Sequence, residues 1–290
     1  MPTSSHGLNT LTLDVGGTGL KASVLDSAGS MLHDRVRIET AYPCPPEALV
    51  KALTALTSSL PAFDRISVGF PGVVRDGVVR TAPHLVTSHG PGTAIDAKLV
   101  SAWSMFDLSA AIRDALAKPT RIINDADLQG LDVTTGQGLE VVVTLGTGFG
   151  TAILRNGILG PHLELSQHVF RRGKSYDEQL GDIERKRIGN ASWNRRVRKA
   201  MHALDTLLDY DRILVGGGNA RRLKGVLPAK ASLIDPNAGI LGGLKLWDQP
   251  ASDFGPAGHF PGQVPGHIAA PEPTGAQPMK TRSTRQPRTR

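Results

Sequence analysis

Asn124, Asp125 and Asp127 follow the apolar pair Ile122 and Ile123, so an amide and two carboxylates stand at the end of a run that reads as a strand. In open α/β sheets that carboxyl edge is where ligands sit. A carboxylate there, near a phosphate donor, can accept the proton of an attacking hydroxyl. The same residues can also serve as caps for a helix beginning near Ala126, because Asn and Asp accept from the first free backbone N–H groups. Asp14 offers a similar choice. It precedes a glycine loop, where its carboxylate either holds Mg²⁺ beside bound phosphates, directly or through water, or bonds to the loop's own N–H groups. Both roles can hold at once. Glu164, Gln167 and His168, in LELSQHVF, supply donors and acceptors suited to sugar hydroxyls, or are ordinary surface side chains.

Loops that could carry phosphates lie on either side of these residues. In LTLDVGGTGLKASVLD, residues 11–26, period-two alternation marks a strand before the glycines and another after them. Gly16, Gly17 and Gly19 lack Cβ atoms and permit positive φ, so successive N–H groups can turn toward an anion; Thr18 adds a hydroxyl and Lys21 a charge. An ordinary glycine hairpin is the simpler alternative. Strand-loop-strand order argues against the dinucleotide and Walker patterns, which run into a helix. VVVTLGTGFGTAIL, residues 141–154, repeats the design with Gly146, Thr147, Gly148 and Gly150. Two such hairpins suggest two similar halves facing one another across a cleft. A third cluster, Gly216, Gly217 and Gly218, ends the strand Arg212 to Val215 and leads into the helix-compatible segment Asn219 to Leu223. Three such loops suggest a nucleotide or polyphosphate cradle.

The elements that must position these groups alternate between strand and helix, which predicts an α/β protein. The first hairpin continues into a strand near Met31 to Ile38. Pro45-Pro46-Glu47 starts a helix with Leu49, Leu53, Leu56 and Leu60 on one stripe. A strand carries Ile66, Val68 and Phe70, and after a polar loop a helix carries Leu108, Ile112 and Leu116. The expected boundaries are a smaller lobe at 1–122, a larger lobe at 123–247 and a Pro/Gly-rich tail at 248–290. In the second lobe, helical spacing joins Ile183 to Ile188 and Trp193, Val197 and Met201, and a closing helix runs near Ala238 to Trp247. The tail holds eight prolines and five glycines without apolar periodicity, the composition of a disordered segment.

At 290 residues and 40% apolar content, two modest cores are affordable. No apolar run is long enough to span a membrane, and MPTSSHGLN has no signal-peptide pattern, so the expected setting is cytoplasmic. The single cysteine, Cys44, excludes an internal disulfide and a cysteine-rich zinc site within one chain. Net charge is +7, and between residues 171 and 199 basic groups outnumber acidic ones by more than two to one. That region, including Arg195 and Arg196, is either a solvated helix face or a track for a linear polyanion. It lacks the interleaved aromatics that stack bases, so nucleic acid is disfavoured.

Taken in order, LDVGGTGLK, VGFPGVV, INDADLQG, TLGTGFGTA, LELSQH, KSYDEQLGD, LVGGGNA and DPNAGILGGLKLW resemble the ROK family of sugar kinases, and most closely its polyphosphate glucokinase branch. The resemblance spans about residues 11–247. It implies an actin/hexokinase/Hsp70-like ATPase fold with two similar α/β lobes around a cleft, in a homodimer. It implies phosphoryl transfer from polyphosphate or ATP, with Mg²⁺, to the 6-hydroxyl of glucose, and Asp125 maps to the catalytic base. The two hairpins map to phosphate contacts, Gly216 to Gly218 to the nucleotide or polyphosphate path, and Gly72, Asn124 and Glu164 to the sugar. A further glutamate contact maps to Asp177 or Glu178. Many relatives hold zinc through a cysteine cluster, and a chain with Cys44 alone is expected to hold none. Where the family has Glu-Leu-Gly-His, this chain has Glu164-Leu165-Ser166-Gln167, with His168 next, and His84 stands where relatives often have Asn. The altered sugar motif leaves a second class open: a catalytically impaired sugar- or nucleotide-binding protein acting as sensor or scaffold.

Overall fold

In the computed structural model, which describes residues 7–234 and 241–250, the first glycine loop joins antiparallel strands β1 (Thr10–Gly16) and β2 (Gly19–Leu25), closed by the pair Gly16 and Gly19. The chain continues through β3 (Val36–Ile38), helix α1 (Pro46–Thr57) and β4 (Arg65–Phe70). A small hairpin of β5 (Val74–Arg75) and β6 (Val78–Val79) precedes helices α2 (Ala97–Trp103) and α3 (Leu108–Leu116). Strand β7 (Thr120–Asn124) completes a five-stranded sheet of order β3-β2-β1-β4-β7. β3 is shorter than sequence alternation predicts, since Met31 makes only an isolated bridge to Leu25. α2 falls within the stretch expected to be loop. Its two buried anchors, Leu99 and Trp103, are too few to show a period, and Asp96 caps it by accepting from Lys98 N at 2.8 Å.

From helix α4 (Asp125–Val133) the plan repeats. β8 (Leu139–Leu145) and β9 (Phe149–Arg155) form the second glycine hairpin, and β10 (Ile158–Leu159) extends it. β11 (Val169–Arg171), β12 (Lys174–Ser175), α5 (Tyr176–Leu180) and the long α6 (Asp182–Leu208) follow. β13 (Arg212–Gly216) and β14 (Ala231–Leu233) then join β8 in parallel, giving the order β10-β9-β8-β13-β14. Each sheet is thus a three-stranded meander with two parallel strands added beside its first strand. Gly189, at φ 76° and ψ 157°, breaks α6, so Ile183 and Ile188 lie on one segment and Trp193, Val197 and Met201 on another. The segment after β13 forms a single 3₁₀ turn, Ala220–Arg222.

The strand alternation read in the sequence sorts side chains between layers. Leu11, Leu13 and Val15 of β1 share a core with Leu49 and Leu53 of α1, each such side chain contributing roughly 1.5–3 kcal/mol by burial. Val141, Val143 and Leu145 of β8 share another with Trp193, Val197 and Met201. The opposite face of β8, through Val142, packs with Leu128 and Leu131 of α4.

The other face of β1 carries Thr10, Thr12 and Asp14, and the closing helix approaches it at Thr12. Helix α7 (Gly242–Lys245) and the 3₁₀ turn Leu246–Asp248 cross back onto the first sheet. Ser67 Oγ donates to Gly243 O at 2.5 Å, and Trp247 Nε1 donates to Ser67 Oγ at 2.9 Å. The Trp247 ring sits against the guanidinium groups of Arg65 and Arg121, 5.1 Å and 4.6 Å from its centroid. Residues 238–240 of the predicted closing helix, and 251–290 of the predicted tail, lie outside the described residues. No helix among the described residues is long and apolar enough to cross a membrane.

Candidate active site

Both glycine hairpins open onto one cavity of about 560 Å³, within the size range of small-molecule sites. Their backbone polarity is arranged for an anion. The outward carbonyls are taken by side chains: Thr40 Oγ1 donates to Gly16 O at 2.6 Å, Tyr42 Oη to Gly17 O at 2.7 Å, and Asn219 Nδ2 to Gly146 O at 3.1 Å. Among the described residues the N–H groups of Gly17, Thr18, Thr147 and Gly148 find no acceptor in the protein. Four free donors from two loops that line one cavity have the chemistry of an anion cradle.

Close approach, not unusual φ, explains the glycines of the first loop. None of Gly16, Gly17 and Gly19 adopts the positive φ that glycine permits. A Cβ on Gly17 would instead lie 2.7 Å from Pro91 and 3.0 Å from His84. At Gly148 it would lie 2.5 Å from the Asp177 carboxylate. Gly217 differs, combining φ 84° with a Cβ position 2.5 Å from Leu145 O, so a side chain is excluded on both grounds.

Asp125 occupies the floor at the start of α4. Asn124 is the N-cap, its Oδ1 accepting from Ala126 N at 2.7 Å while its Nδ2 donates to Gly72 O at 3.1 Å. The capping alternative therefore holds for Asn124. Asp125 is left with one oxygen anchored, Oδ1 accepting from Ala126 N at 2.9 Å, and Oδ2 without a protein donor among the described residues. Strand register places its neighbours. Asp14 pairs with Gly69, and a Cβ on Gly69 would lie 3.3 Å from Asp125 Cα, so the Asp14 and Asp125 carboxylates share the cavity. Burial first, then the negative charge of Asp14 and more weakly of Glu164 and Asp127, pushes Asp125 up to about 7.

Behind it lies a charged chain that sequence reasoning missed. His162 is largely buried; its Nδ1 lies 2.8 Å from Asp127 Oδ2, and its Nε2 lies 3.5 Å from Glu164 Oε2. Burial alone would lower the imidazole, but the two carboxylates overcome it and push His162 to about 10. At neutral pH it is a cation. Burial opposes ionisation of Glu164, but His162 and the donating Ser166 hydroxyl hold its carboxyl below its ordinary value. The available signal was a histidine two residues before a candidate sugar-binding glutamate.

The cavity brings together most of the residues selected from the sequence. Asp14, Gly16, Gly17, Thr18, Gly19 and Lys21 line it from the first sheet. Gly146, Thr147, Gly148 and Gly150 line it from the second, with Gly72, Asn124, Asp125 and Glu164 between. Of the third cluster only Gly217 reaches it; Gly216 is buried behind and Gly218 faces outward. Gln167 and His168 are exposed and lie outside the lining. Helix geometry places Asp177 and Glu178 differently. Glu178 closes the capping box of α5, accepting from Ser175 N at 2.8 Å. Asp177 lines the cavity, accepts from Phe149 N at 2.7 Å and lies 3.9 Å from His84 Nε2. Burial raises the Asp177 carboxyl above its ordinary value.

No cluster of three or more metal-binding side chains occurs among the described residues. Asp14, half-exposed and 2.6 Å from Lys21 Nζ, supplies one carboxylate facing the cradle. That fits Mg²⁺, which is commonly held by one or two carboxylates together with substrate phosphates and water.

Comparison with known proteins agrees with this architecture. The family model described as "ROK family" matches residues 10–161. A polyphosphate glucokinase of Mycobacterium tuberculosis is 28% identical over 256 residues, covering 83% of this chain and 90% of the relative. The inorganic polyphosphate/ATP-glucomannokinase of Arthrobacter sp. strain KM superposes with a TM-score of 0.68 at 26% identity, covering 83% of this chain and all of that one. The ROK family glucokinase of Streptomyces griseus, solved with glucose and AMPPNP, superposes at 0.64 with 17% identity, covering 82% of this chain and 98% of that one. The fold is the two-lobed actin/hexokinase-like ATPase fold, and the chain belongs to the ROK family.

Proposed function

We propose that this protein transfers the terminal phosphoryl group of inorganic polyphosphate or ATP to the 6-hydroxyl of glucose. The observation that carries this reading is the position of Asp125: one carboxylate oxygen anchored, the other open to a cavity lined by two loops of free N–H groups. Phosphoryl transfer requires mainly positioning and charge stabilisation. The sugar hydroxyl attacks phosphorus, its proton passes to Asp125 Oδ2, and the bond to the donor breaks, leaving the donor one phosphate shorter. A carboxyl held near 7 is well matched to that work, since its conjugate base is present at neutral pH yet basic enough to draw the proton.

The Gly17, Thr18, Thr147 and Gly148 N–H groups bind phosphate oxygens, and Lys21 adds positive charge. When bound with the donor, Mg²⁺ would be held by Asp14 and would neutralise phosphate charge. Glu164, oriented by His162 and Ser166, accepts from sugar hydroxyls, and Asp177 does so from the facing side. The polyphosphate-using relatives at 26% and 28% identity support this donor class.

The test is product formation from glucose, mannose and N-acetylated hexosamines, each with ATP and with polyphosphate. Glucose 6-phosphate is expected, and 6-deoxyglucose should give no product. Sugar binding without turnover on either donor would overturn the reading in favour of a binding protein.

A further inference from the structure

The polar face of the first sheet carries positive charge beyond what the phosphate loops use. Lys21 on β2 lies directly opposite Arg37 on β3, so both side chains leave the same face of the sheet. Arg35, two residues before Arg37, takes that face as well, with its Nε 3.4 Å from Ser23 Oγ. All four residues line the cavity. Arg37 also closes against the first loop, since a Cβ on Gly19 would lie 2.9 Å from its Nε. A row of cations therefore leads from the phosphate cradle outward along the sheet: Lys21, then Arg37, then Arg35.

The basic stretch on α6 is neutralised in part, while its Arg195, Arg198 and Lys199 have no acidic partner among the described residues. There, Arg185 and Lys186 pair with Asp182, and Arg187 and Arg196 pair with Glu184. Arg35 and Arg37 have no acidic partner among the described residues. Two like charges side by side on one face repel unless an anion lies with them. An edge strand also gains from charge simply by discouraging strand pairing, a role that leaves polyphosphate affinity unaffected.

We propose that Arg35 and Arg37 bind the distal phosphates of a linear polyphosphate whose terminal phosphate lies between the glycine hairpins. This rests on the reading that the cavity takes a phosphoryl donor. A nucleoside triphosphate has no anionic groups beyond its third phosphate, whereas a longer polyphosphate continues along the row. The pair is therefore a donor-selecting site.

The experiment compares the wild type, the double variant Arg35→Ala/Arg37→Ala and Arg195→Glu, which changes net charge by the same amount from the exposed face of α6. Binding of long-chain polyphosphate is measured without sugar at several salt concentrations, and kcat/KM is measured with polyphosphate and with ATP. The double variant should lose roughly 3- to 30-fold in polyphosphate affinity at low salt, with a salt dependence shallower by about one or two released ions. Its kcat/KM with ATP should stay within about twofold, as should both activities of Arg195→Glu. Unchanged polyphosphate binding, or equal losses with both donors, would overturn the proposal. If the wild type turns over no sugar, the proposed reaction fails while the binding measurements still decide the role of Arg35 and Arg37.

Discussion

Replacing Asp125 with Asn should remove the proton acceptor while keeping the shape of the site, because the amide oxygen can still accept from Ala126 N, 2.9 Å away in the native protein. General-base catalysis supplies about 10²- to 10⁴-fold, so kcat should fall by that factor, equivalent to roughly 3–5 kcal/mol of barrier. The pH profile identifies the cause. With Asp125 near 7, the native rate should decline as pH falls below 7, to about one tenth at pH 6, since only the ionised carboxylate accepts a proton. The residual rate of the variant should be flat through that window.

Stability should move in the opposite direction. A carboxyl raised from 3.8 to about 7 in the fold binds its proton more tightly folded than unfolded. The contribution of this carboxyl to stability is therefore most favourable below 3.8 and is lost as pH rises through 7, by an amount on the order of 4 kcal/mol. The Asn variant avoids that loss, so its Tm should exceed the native value at pH 8 by several degrees, with the gap closing as pH is lowered toward 4. Single-turnover kinetics and thermal unfolding across pH provide the readouts. An unaltered kcat, or a decline below pH 7 that persists in the variant, would refute the assignment of Asp125 as base.

Asp177→Asn should raise the KM for sugar about tenfold, the usual size of a lost charge-assisted hydrogen bond. Glu178→Ala should leave KM unchanged and cost only about 1 kcal/mol of stability as a lost helix cap, which denaturant unfolding will show. Gly148→Ala should impair turnover with either donor, because the new methyl would lie 2.5 Å from the Asp177 carboxylate. Gln167→His should alter kcat/KM by less than about twofold, since that side chain is exposed and outside the cavity. His162→Gln should weaken sugar binding through Glu164 and flatten the alkaline dependence of Tm. The stability from His162, whose pKa is raised from 6.5 to about 10, is complete below 6.5 and lost as pH climbs through 10.

The parts of the protein legible in its sequence are those governed by local periodicity. Leu11, Leu13 and Val15 announce a half-buried strand, and Leu49, Leu53 and Leu56 a helix stripe, because burial on one face leaves a period of two or of three to four. The repeated strand-loop-strand glycine pattern identified twin hairpins, and the observed sheets share one topology. Elements with few anchors were not legible: α2 buries only Leu99 and Trp103, and the helix break at Gly189 is marked in the sequence by the glycine alone.

The residue types of the site were local information as well: Asp125 after an apolar strand, glycines where N–H groups gather, an acid at Asp14. Their neighbours were not. His162 meets Asp127 across 35 positions. Asp177 reaches Phe149, and Arg37 lies beside Gly19, only because strand register and helix starts bring distant segments together. Sequence alone determined which groups could bind phosphate and move a proton. Tertiary structure decided which carboxyl is buried and pushed up toward neutral pH, which acid caps a helix instead of facing the cavity, and which cations remain unpaired beside it. Solvation and Coulomb energy depend on distances across the fold, and spacing along the chain does not encode them.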